Sequence, residues 1–136
     1  MPDEIRSVDY FYIQTPNKPG AAASALRALQ ASGVNLLAFS GFPAGRKAQL
    51  DFVPADSQAF VKAARQARLK LSPRKSGFLI QGEDRVGAIG SSLGKLADAK
   101  INVTAVDAVS AGMGRFGAIL WVKPKDRKRA AKALGI

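Results

Sequence analysis

The fold is decided by the stretch Gln14-Thr15-Pro16-Asn17-Lys18-Pro19-Gly20, which leads from a β-branched and aromatic segment into an alanine-rich one. The same kind of stretch returns as Gln81-Gly82-Glu83-Asp84-Arg85-Val86-Gly87. Gly20 and Gly87 lie 67 positions apart (87 − 20), and other residues match at this offset. The matching pairs are Phe11 with Phe78, Ile13 with Ile80, Leu26 with Leu93, Leu29 with Leu96, Asn35 with Asn102 and Ala38 with Ala105. Turn, helix and strand positions that share one offset predict two copies of one structural unit.

The first copy is predicted to form a βαββαβ unit. Residues 8–14 favour a strand, and the two prolines after them cannot donate the hydrogen bonds that would extend it. In residues 20–32 the apolar side chains recur at spacings of three and four, which is typical of an amphipathic helix, and Gly33 ends it. Further strands are predicted at 34–40, 48–53 and Leu69–Ser72, with a second helix that begins at Asp56 or Ser57.

The second copy repeats this order up to its last helix. Strands are predicted at 78–81, 101–106 and 117–123, helices at 86–99 and 126–134, and a hairpin loop at 110–116. No fourth strand follows, so this copy either lacks its last strand or takes residues 4–7 of the polar lead-in (residues 1–7) at that edge. The sequence therefore predicts an α+β fold of two ferredoxin-like units, residues 8–72 and 77–136, each an antiparallel sheet with both helices on one face.

Composition excludes much chemistry. The 136 residues contain no cysteine and no histidine, so cysteine nucleophiles, histidine bases and nearly every zinc site are excluded. The ten acidic residues are scattered, and no acid–base or nucleophile constellation is visible, so we expect a non-enzyme with no metal and no cofactor. The net charge of +11 favours anionic partners, or serves solubility alone.

The chain shows no targeting or membrane signal. No apolar run approaches the roughly 20 residues that a membrane span needs. The first residues are acidic and have no apolar core, unlike a secretory signal. The lack of cysteine fits a reducing compartment. We therefore expect a cytoplasmic protein without a membrane partner.

Both loops belong to a longer pattern. Asn17-Lys18-Pro19-Gly20, followed by helix-face leucines and Gly33-Val34-Asn35-Leu36, resembles the signature of the ACT domain. Asp84-Arg85-Val86-Gly87 through Lys100-Ile101-Asn102-Val103 resembles a weaker copy, because Val86 stands where the family prefers proline. The resemblance covers nearly the whole chain. It implies a tandem of small regulatory modules that bind a ligand, typically an amino acid, at the loop between the first strand and the first helix.

The resemblance and the chemistry of the loop select the candidate ligand-binding residues. A helix N-terminus offers unpaired N–H groups and a positive dipole end to a carboxylate, and glycine lets the backbone come close. The candidates in the first copy are Thr15, Asn17, Lys18, Pro19, Gly20 and Asn35, and those in the second are Asp84, Arg85, Gly87 and Asn102. The alternative is that these residues only build the turn, and that each asparagine bonds its own backbone. The first site is the better candidate.

Two kinds of partner surface are predicted. Tyr10, Tyr12, Ile119 and Trp121 would lie on the sheet face away from the helices, and such an apolar surface favours a homodimer, through this face or a sheet edge. RNA-recognition motifs share the βαββαβ order and stack bases on aromatic side chains of the open sheet. A module that binds RNA or another polyanion is therefore the alternative function. Asp51 in the third strand speaks against it.

Overall fold

The structure is a computed structural model that describes residues 2–136. Met1, the first residue of the predicted lead-in, lies outside the described residues. The fold is α+β, with six strands and four α-helices in the described chain. The strands are β1 (Glu4–Pro16), β2 (Leu36–Ala44), β3 (Lys47–Pro54), β4 (Lys75–Glu83), β5 (Val103–Gly112) and β6 (Arg115–Val122). The helices are α1 (Ala21–Ala31), α2 (Ser57–Gln66), α3 (Ala88–Asp98) and α4 (Arg127–Leu134), and a 3-10 turn, Pro124–Asp126, precedes α4.

The chain divides into two compact units. The first unit is Asp9–Lys75, and the second unit combines residues 2–8 with Ser76–Ile136. The second unit therefore contains the start of β1, and Ile5 packs against its core. Of the two alternatives predicted for the second copy, the structure favours the one that uses the lead-in: its strand begins at Glu4, and residues 4–8 belong to the second unit.

In the first unit β3 lies between β1 and β2 and pairs with both in antiparallel register. Its core is aromatic: the Phe60 ring lies 5.3 Å from the Phe11 ring and 5.4 Å from the Phe52 ring, centroid to centroid. Phe60 lies on α2. This helix begins at the predicted position, where the Asp56 carboxylate accepts a hydrogen bond from the Ala59 N–H at 3.1 Å. The ring contacts of Phe60 hold the helix against the sheet.

The predicted strand Leu69–Ser72 is wrong, because this segment has no strand conformation. Only Ser72 bonds to β1: its N–H donates to the Tyr12 carbonyl at 2.8 Å, and its hydroxyl accepts from the Tyr12 N–H at 2.9 Å. The Ser72 hydroxyl thus accepts the hydrogen bond that a backbone carbonyl would accept in a regular strand pair. Pro73 then follows and has no N–H to donate, so the ladder stops after one residue.

In the second unit β6 lies between β4 and β5, again antiparallel to both. The predicted hairpin is present, but its loop is shorter than residues 110–116, because β5 runs on to Gly112 and β6 begins at Arg115. Met113 and Gly114 form the turn, with φ of +54° and +72°. Two successive residues with positive φ suit a tight hairpin turn, since its twist matches that of the strands.

The expected exposed apolar face is wrong as well. Ile119 and Trp121 are each only 5% exposed, and Tyr10 and Tyr12 are half-buried. The Trp121 ring lies across Gly77, where a Cβ would come within 3.4 Å of it. Glycine at this position therefore leaves space for the indole ring to pack against the backbone.

None of the helices in residues 2–136 is long and apolar enough to cross a membrane.

Candidate functional site

The loop between β1 and α1 turns sharply where the helix begins. The Lys18 N–H donates to the Pro16 carbonyl at 3.0 Å, which folds the chain back after the strand. Gly20 follows with φ of +88°, a conformation that disfavours any residue with a Cβ. No side chain caps the start of α1. The Ala21 N–H donates to the Lys18 carbonyl at 3.4 Å, whereas no side chain caps the next two N–H groups of the helix, at the positive end of its dipole.

An open cleft of about 500 Å³ lies at this helix start, within the first unit. Four of the six candidates predicted in the first copy line it: Thr15, Lys18, Pro19 and Gly20. The remaining lining residues are Pro16, Ala21, Ser24, Ala25, Ala28, Ala67 and Leu69. Small alanines leave the space open, so the cleft has a polar mouth at the loop and an apolar wall along α1.

Asn17 and Asn35 do not line this cleft. Both are exposed, and the backbone carbonyl of Asn35 accepts a hydrogen bond from the Ala55 N–H at 3.0 Å. Conversely, Ser24 and Ala28 line the cleft but were not among the predicted candidates. The sequence could have indicated them, because residues four apart lie on one face of a helix, and Gly20, Ser24 and Ala28 follow one another at this spacing.

Thr15 carries the most informative polar atom of the cleft. Its Oγ1 is buried and has no hydrogen-bond partner among the described residues. A buried hydroxyl without a partner costs free energy in a folded protein, so such groups are rare. This hydroxyl can donate one hydrogen bond and accept two. Thr15 is one of the residues that line the cleft, so this buried hydroxyl lies beside it.

Lys18 supplies the positive charge at the mouth of the cleft. Within residues 2–136 no carboxylate lies within ion-pair distance of its ammonium group. The loop thus combines a cation without a counterion, an uncapped helix start and an unsatisfied hydroxyl. The ammonium group and the helix N–H groups favour an oxyanion, whereas the hydroxyl can bond either to an anion or to an ammonium group.

The second loop repeats the turn with different side chains. Gly87 precedes α3 with φ of +74°, and again no side chain caps the helix. The Asp84 carboxylate accepts a hydrogen bond from the Ser110 hydroxyl at 2.9 Å. A cleft of about 230 Å³ lies here in the second unit, lined by Asp84, Arg85, Gly87, Ala88, Ile89, Ala108, Val109, Ser110 and Phe116. Asn102 is exposed and lies outside it.

Arg85, unlike Lys18, already has an anion. Its two terminal nitrogens donate to the two carboxylate oxygens of Asp3, each at 3.1 Å, and one of them also donates to the Glu83 carbonyl at 2.9 Å. The guanidinium lies 5.8 Å from the centre of the Phe116 ring. The hydrogen bond to Asp3 raises the pKa of Arg85 above its ordinary value. The two copies therefore differ in whether the cation at the equivalent position has an ion-pair partner.

The described residues 2–136 contain no cluster of three or more histidine, cysteine or acidic side chains that could hold a metal ion. The two clefts are thus built from backbone N–H groups, hydroxyls, amines and carboxylates. Such groups bind and orient small polar molecules.

Comparison with known proteins shows a likeness of fold. No protein-family model matches the sequence, and no curated protein matches it. The solved structures do. The regulatory subunit of aspartate kinase from Thermus thermophilus, in its ligand-free form, matches with a TM-score of 0.63 and 17% identity over 97% of this chain and 93% of that one. The chain has the fold of ACT-type regulatory domains.

Two further structures agree with the ACT-type fold. A protein from Bacteroides thetaiotaomicron matches with a TM-score of 0.78 and 16% identity, over 94% of this chain and 88% of its own. The regulatory subunit of aspartate kinase from Thermus flavus matches with a TM-score of 0.60 and 18% identity, over 98% of this chain and 93% of its own. Both matches span nearly the full length of each chain, so the likeness includes both units and is not limited to one of them.

Proposed function

We propose that the chain is a non-catalytic regulatory or sensor protein of two ACT-like, ferredoxin-like domains, residues 8–72 and 77–136, that binds a small molecule, an amino acid. The observation that carries this proposal is the buried Thr15 hydroxyl without a partner, in a cleft at the uncapped start of α1. The similarity of fold to aspartate kinase regulatory subunits supports a regulatory role.

The cleft suits an α-amino acid group by group. The ligand carboxylate would lie against the N–H groups at the start of α1, with Lys18 as its counterion. Its ammonium group would donate to the Thr15 hydroxyl. Asn17, next in the loop, is exposed and is proposed to turn toward the bound ligand. The cleft of about 500 Å³ lies within the range of small-molecule sites, about 300–1,000 Å³.

The apolar wall limits the class of amino acid. Ala25, Ala28 and Leu69 line the inner part of the cleft and offer no charge to a ligand side chain. An acidic or basic side chain placed there would lose its hydration without gaining a partner. We therefore propose a ligand with a neutral, largely apolar side chain.

We further propose a cytoplasmic location. We also propose a homodimer, with β5 as its contact surface. Every residue of β5 from Thr104 to Gly112 is exposed, and β5 has a partner strand, β6, on one side only. The strand is ten residues long and carries a single charge, Asp107. Long edge strands with few charges and no proline pair readily with a second strand. A second copy joined edge to edge would satisfy these backbone groups.

A thermal-shift screen against the twenty amino acids tests the ligand proposal. A ligand at 100 times its Kd stabilises the folded protein by about 2.7 kcal/mol. We expect an apolar amino acid to raise the melting temperature of the wild type and to have a much smaller effect on Lys18→Ala. Arg27→Ala is the matched control, because Arg27 is an exposed cation on α1 outside the cleft. A screen in which none of the twenty stabilises the wild type would refute the amino-acid proposal.

RNA binding on the open sheet is the weaker alternative. Base stacking needs accessible aromatic faces, whereas Tyr10 and Tyr12 are half-buried. A mobility shift of single-stranded RNA that weakens steeply with salt would favour this alternative.

A further inference from the structure

The ion pair between Asp3 and Arg85 is placed where the second loop would hold a ligand. Each carboxylate oxygen of Asp3 accepts one hydrogen bond from one terminal nitrogen of Arg85, which is the paired geometry by which arginine binds carboxylates. The Asp3 side chain is only 10% exposed, whereas that of Arg85 is 44% exposed. A carboxylate from the lead-in is therefore inserted into the second unit, and it does not merely lie on its surface.

Gly82 makes room for this carboxylate. A Cβ at position 82 would overlap Oδ1 of Asp3, so any side chain here would displace it. At the offset of 67 residues Gly82 corresponds to Thr15, and Arg85 corresponds to Lys18. The second copy thus has a carboxylate where the first copy has the Thr15 side chain, and this carboxylate neutralises the cation that corresponds to Lys18.

We infer that the second loop is a binding site for a small carboxylate and that Asp3 of the same chain occupies it as an internal ligand. This inference rests on the proposed function, because it takes the loop before each first helix to be a carboxylate site. The molecule that displaces Asp3 is an amino acid in its zwitterionic form. Its carboxylate pairs with Arg85, and its ammonium group pairs with Asp84.

The cleft beside Arg85 fits this ligand. Asp84 keeps one carboxylate oxygen, Oδ1, outside its bond to Ser110, whose hydroxyl donates to Oδ2. Phe116, Ile89 and Val109 form the apolar part of the lining, and the cleft of about 230 Å³ is less than half the volume of the first one. The second site therefore suits a smaller side chain than the first.

Self-occupation has a quantitative consequence. Asp3 directly precedes β1 in the same chain, so it competes intramolecularly and its competition does not depend on the protein concentration. The apparent affinity for an external ligand falls by the fraction of time that the site is open, so an Asp3 that is bound about 90% of the time weakens it about tenfold. The first loop, whose Lys18 has no such competitor, binds at its full affinity.

Amide NMR spectra of the full chain, titrated with acetate, test the inference. In the wild type we expect the Gly20 amide to shift and the Gly87 amide to respond at least about tenfold more weakly. Asp3→Asn should bring the Gly87 response to the strength seen at Gly20. Glu4→Gln is the matched control, because it removes the same charge one position away from an exposed side chain. The double variant Asp3→Asn/Arg85→Gln should abolish the Gly87 response again.

A second variant guards against a folding defect. Gly82→Ala displaces the carboxylate sterically and keeps its charge, so it should also open the second loop to acetate. A Gly87 response that is equally strong in the wild type and in Asp3→Asn would overturn the inference. A silent Gly87 in both Asp3→Asn and Gly82→Ala, beside a shifting Gly20, would overturn it too and would leave the proposed function intact. Silence at both glycines in every variant would count against the proposed function itself.

Discussion

Replacing Thr15 with valine should stabilise the free protein and weaken its ligand binding. Valine has nearly the shape of threonine, so the packing beside β3 is kept, whereas the hydroxyl that has no partner is removed. Thr15→Val also keeps a β-branched residue in β1, which suits a strand. The substitution thus isolates one buried polar atom and leaves the backbone, the charge and the volume of the site unchanged.

The expected gain in the free energy of unfolding follows from the cost of burying the Thr15 hydroxyl without a hydrogen bond. A buried polar group without a hydrogen bond costs about 1–3 kcal/mol. Part of the Thr15 side chain remains exposed, so the lower end of the range applies, about 1 kcal/mol. For a chain of this length such a change raises the melting temperature by about 4 °C. A bound ligand satisfies the hydroxyl only in the wild type, so the added stabilisation by ligand should fall in the variant.

Thermal unfolding with and without ligand measures both effects. Thr104→Val is the control, because Thr104 is an exposed threonine on β5 and its hydroxyl pays no desolvation cost. We expect Thr104→Val to change neither the melting temperature nor the ligand effect. A Thr15→Val protein that is less stable than the wild type would show that the hydroxyl is already satisfied in the free protein. A stabilised Thr15→Val protein with undiminished ligand binding would exclude the hydroxyl from the site.

Three further predictions concern the framework of the fold. Phe60→Ala should lower the free energy of unfolding, measured in urea, by about 3–5 kcal/mol, because Phe60 is fully buried between two other rings. Burial, and after it the charge of Asp51, raises the pKa of Tyr10 above its ordinary value of 10.0, so the folded state holds this proton more tightly than the unfolded chain does. The stability that Tyr10 contributes is full below pH 10.0 and is lost as the pH rises through the raised pKa. In a melting series across that window Tyr10→Phe should lose less stability than the wild type, and an equal loss would contradict the prediction. Gly20→Ala should cost about 1–2 kcal/mol in a thermal melt, because φ is +88° there, whereas Gly90→Ala in α3 should gain about 0.5–1 kcal/mol.

Local patterns in the sequence predicted much of this fold. The common offset of 67 residues identified both strand–loop–helix units, and the glycines at 20 and 87 lie at the helix starts with positive φ. Four candidates of the first copy line one cleft, and three of the second copy line another. These residues could be found because turn chemistry and helix periodicity are set by neighbours in the sequence.

The errors concern contacts between distant segments. Whether Leu69–Ser72 joins the ladder depends on Ser72 and Tyr12, which are 60 residues apart. Which alternative holds for the lead-in depends on the second unit, the rest of which begins at Ser76. The pair of Asp3 and Arg85 spans 82 positions. No periodicity of 2 or 3.6 residues contains such information, so these features emerge only once the chain is folded.

The same distant contact gives the repeat its asymmetry. Two copies of one turn, each followed by an uncapped helix, would be equivalent sites if their cations were equally free. Lys18 has no counterion, whereas Arg85 binds both oxygens of Asp3. Proline at position 19 and valine at position 86 mark the difference in the sequence, but a loop side chain alone cannot close a site. If the second loop binds a carboxylate, the lead-in can close it, because Asp3 would compete with that ligand for Arg85. One chain would therefore respond to ligand at two concentrations, first at Thr15 and Lys18 and later at Arg85.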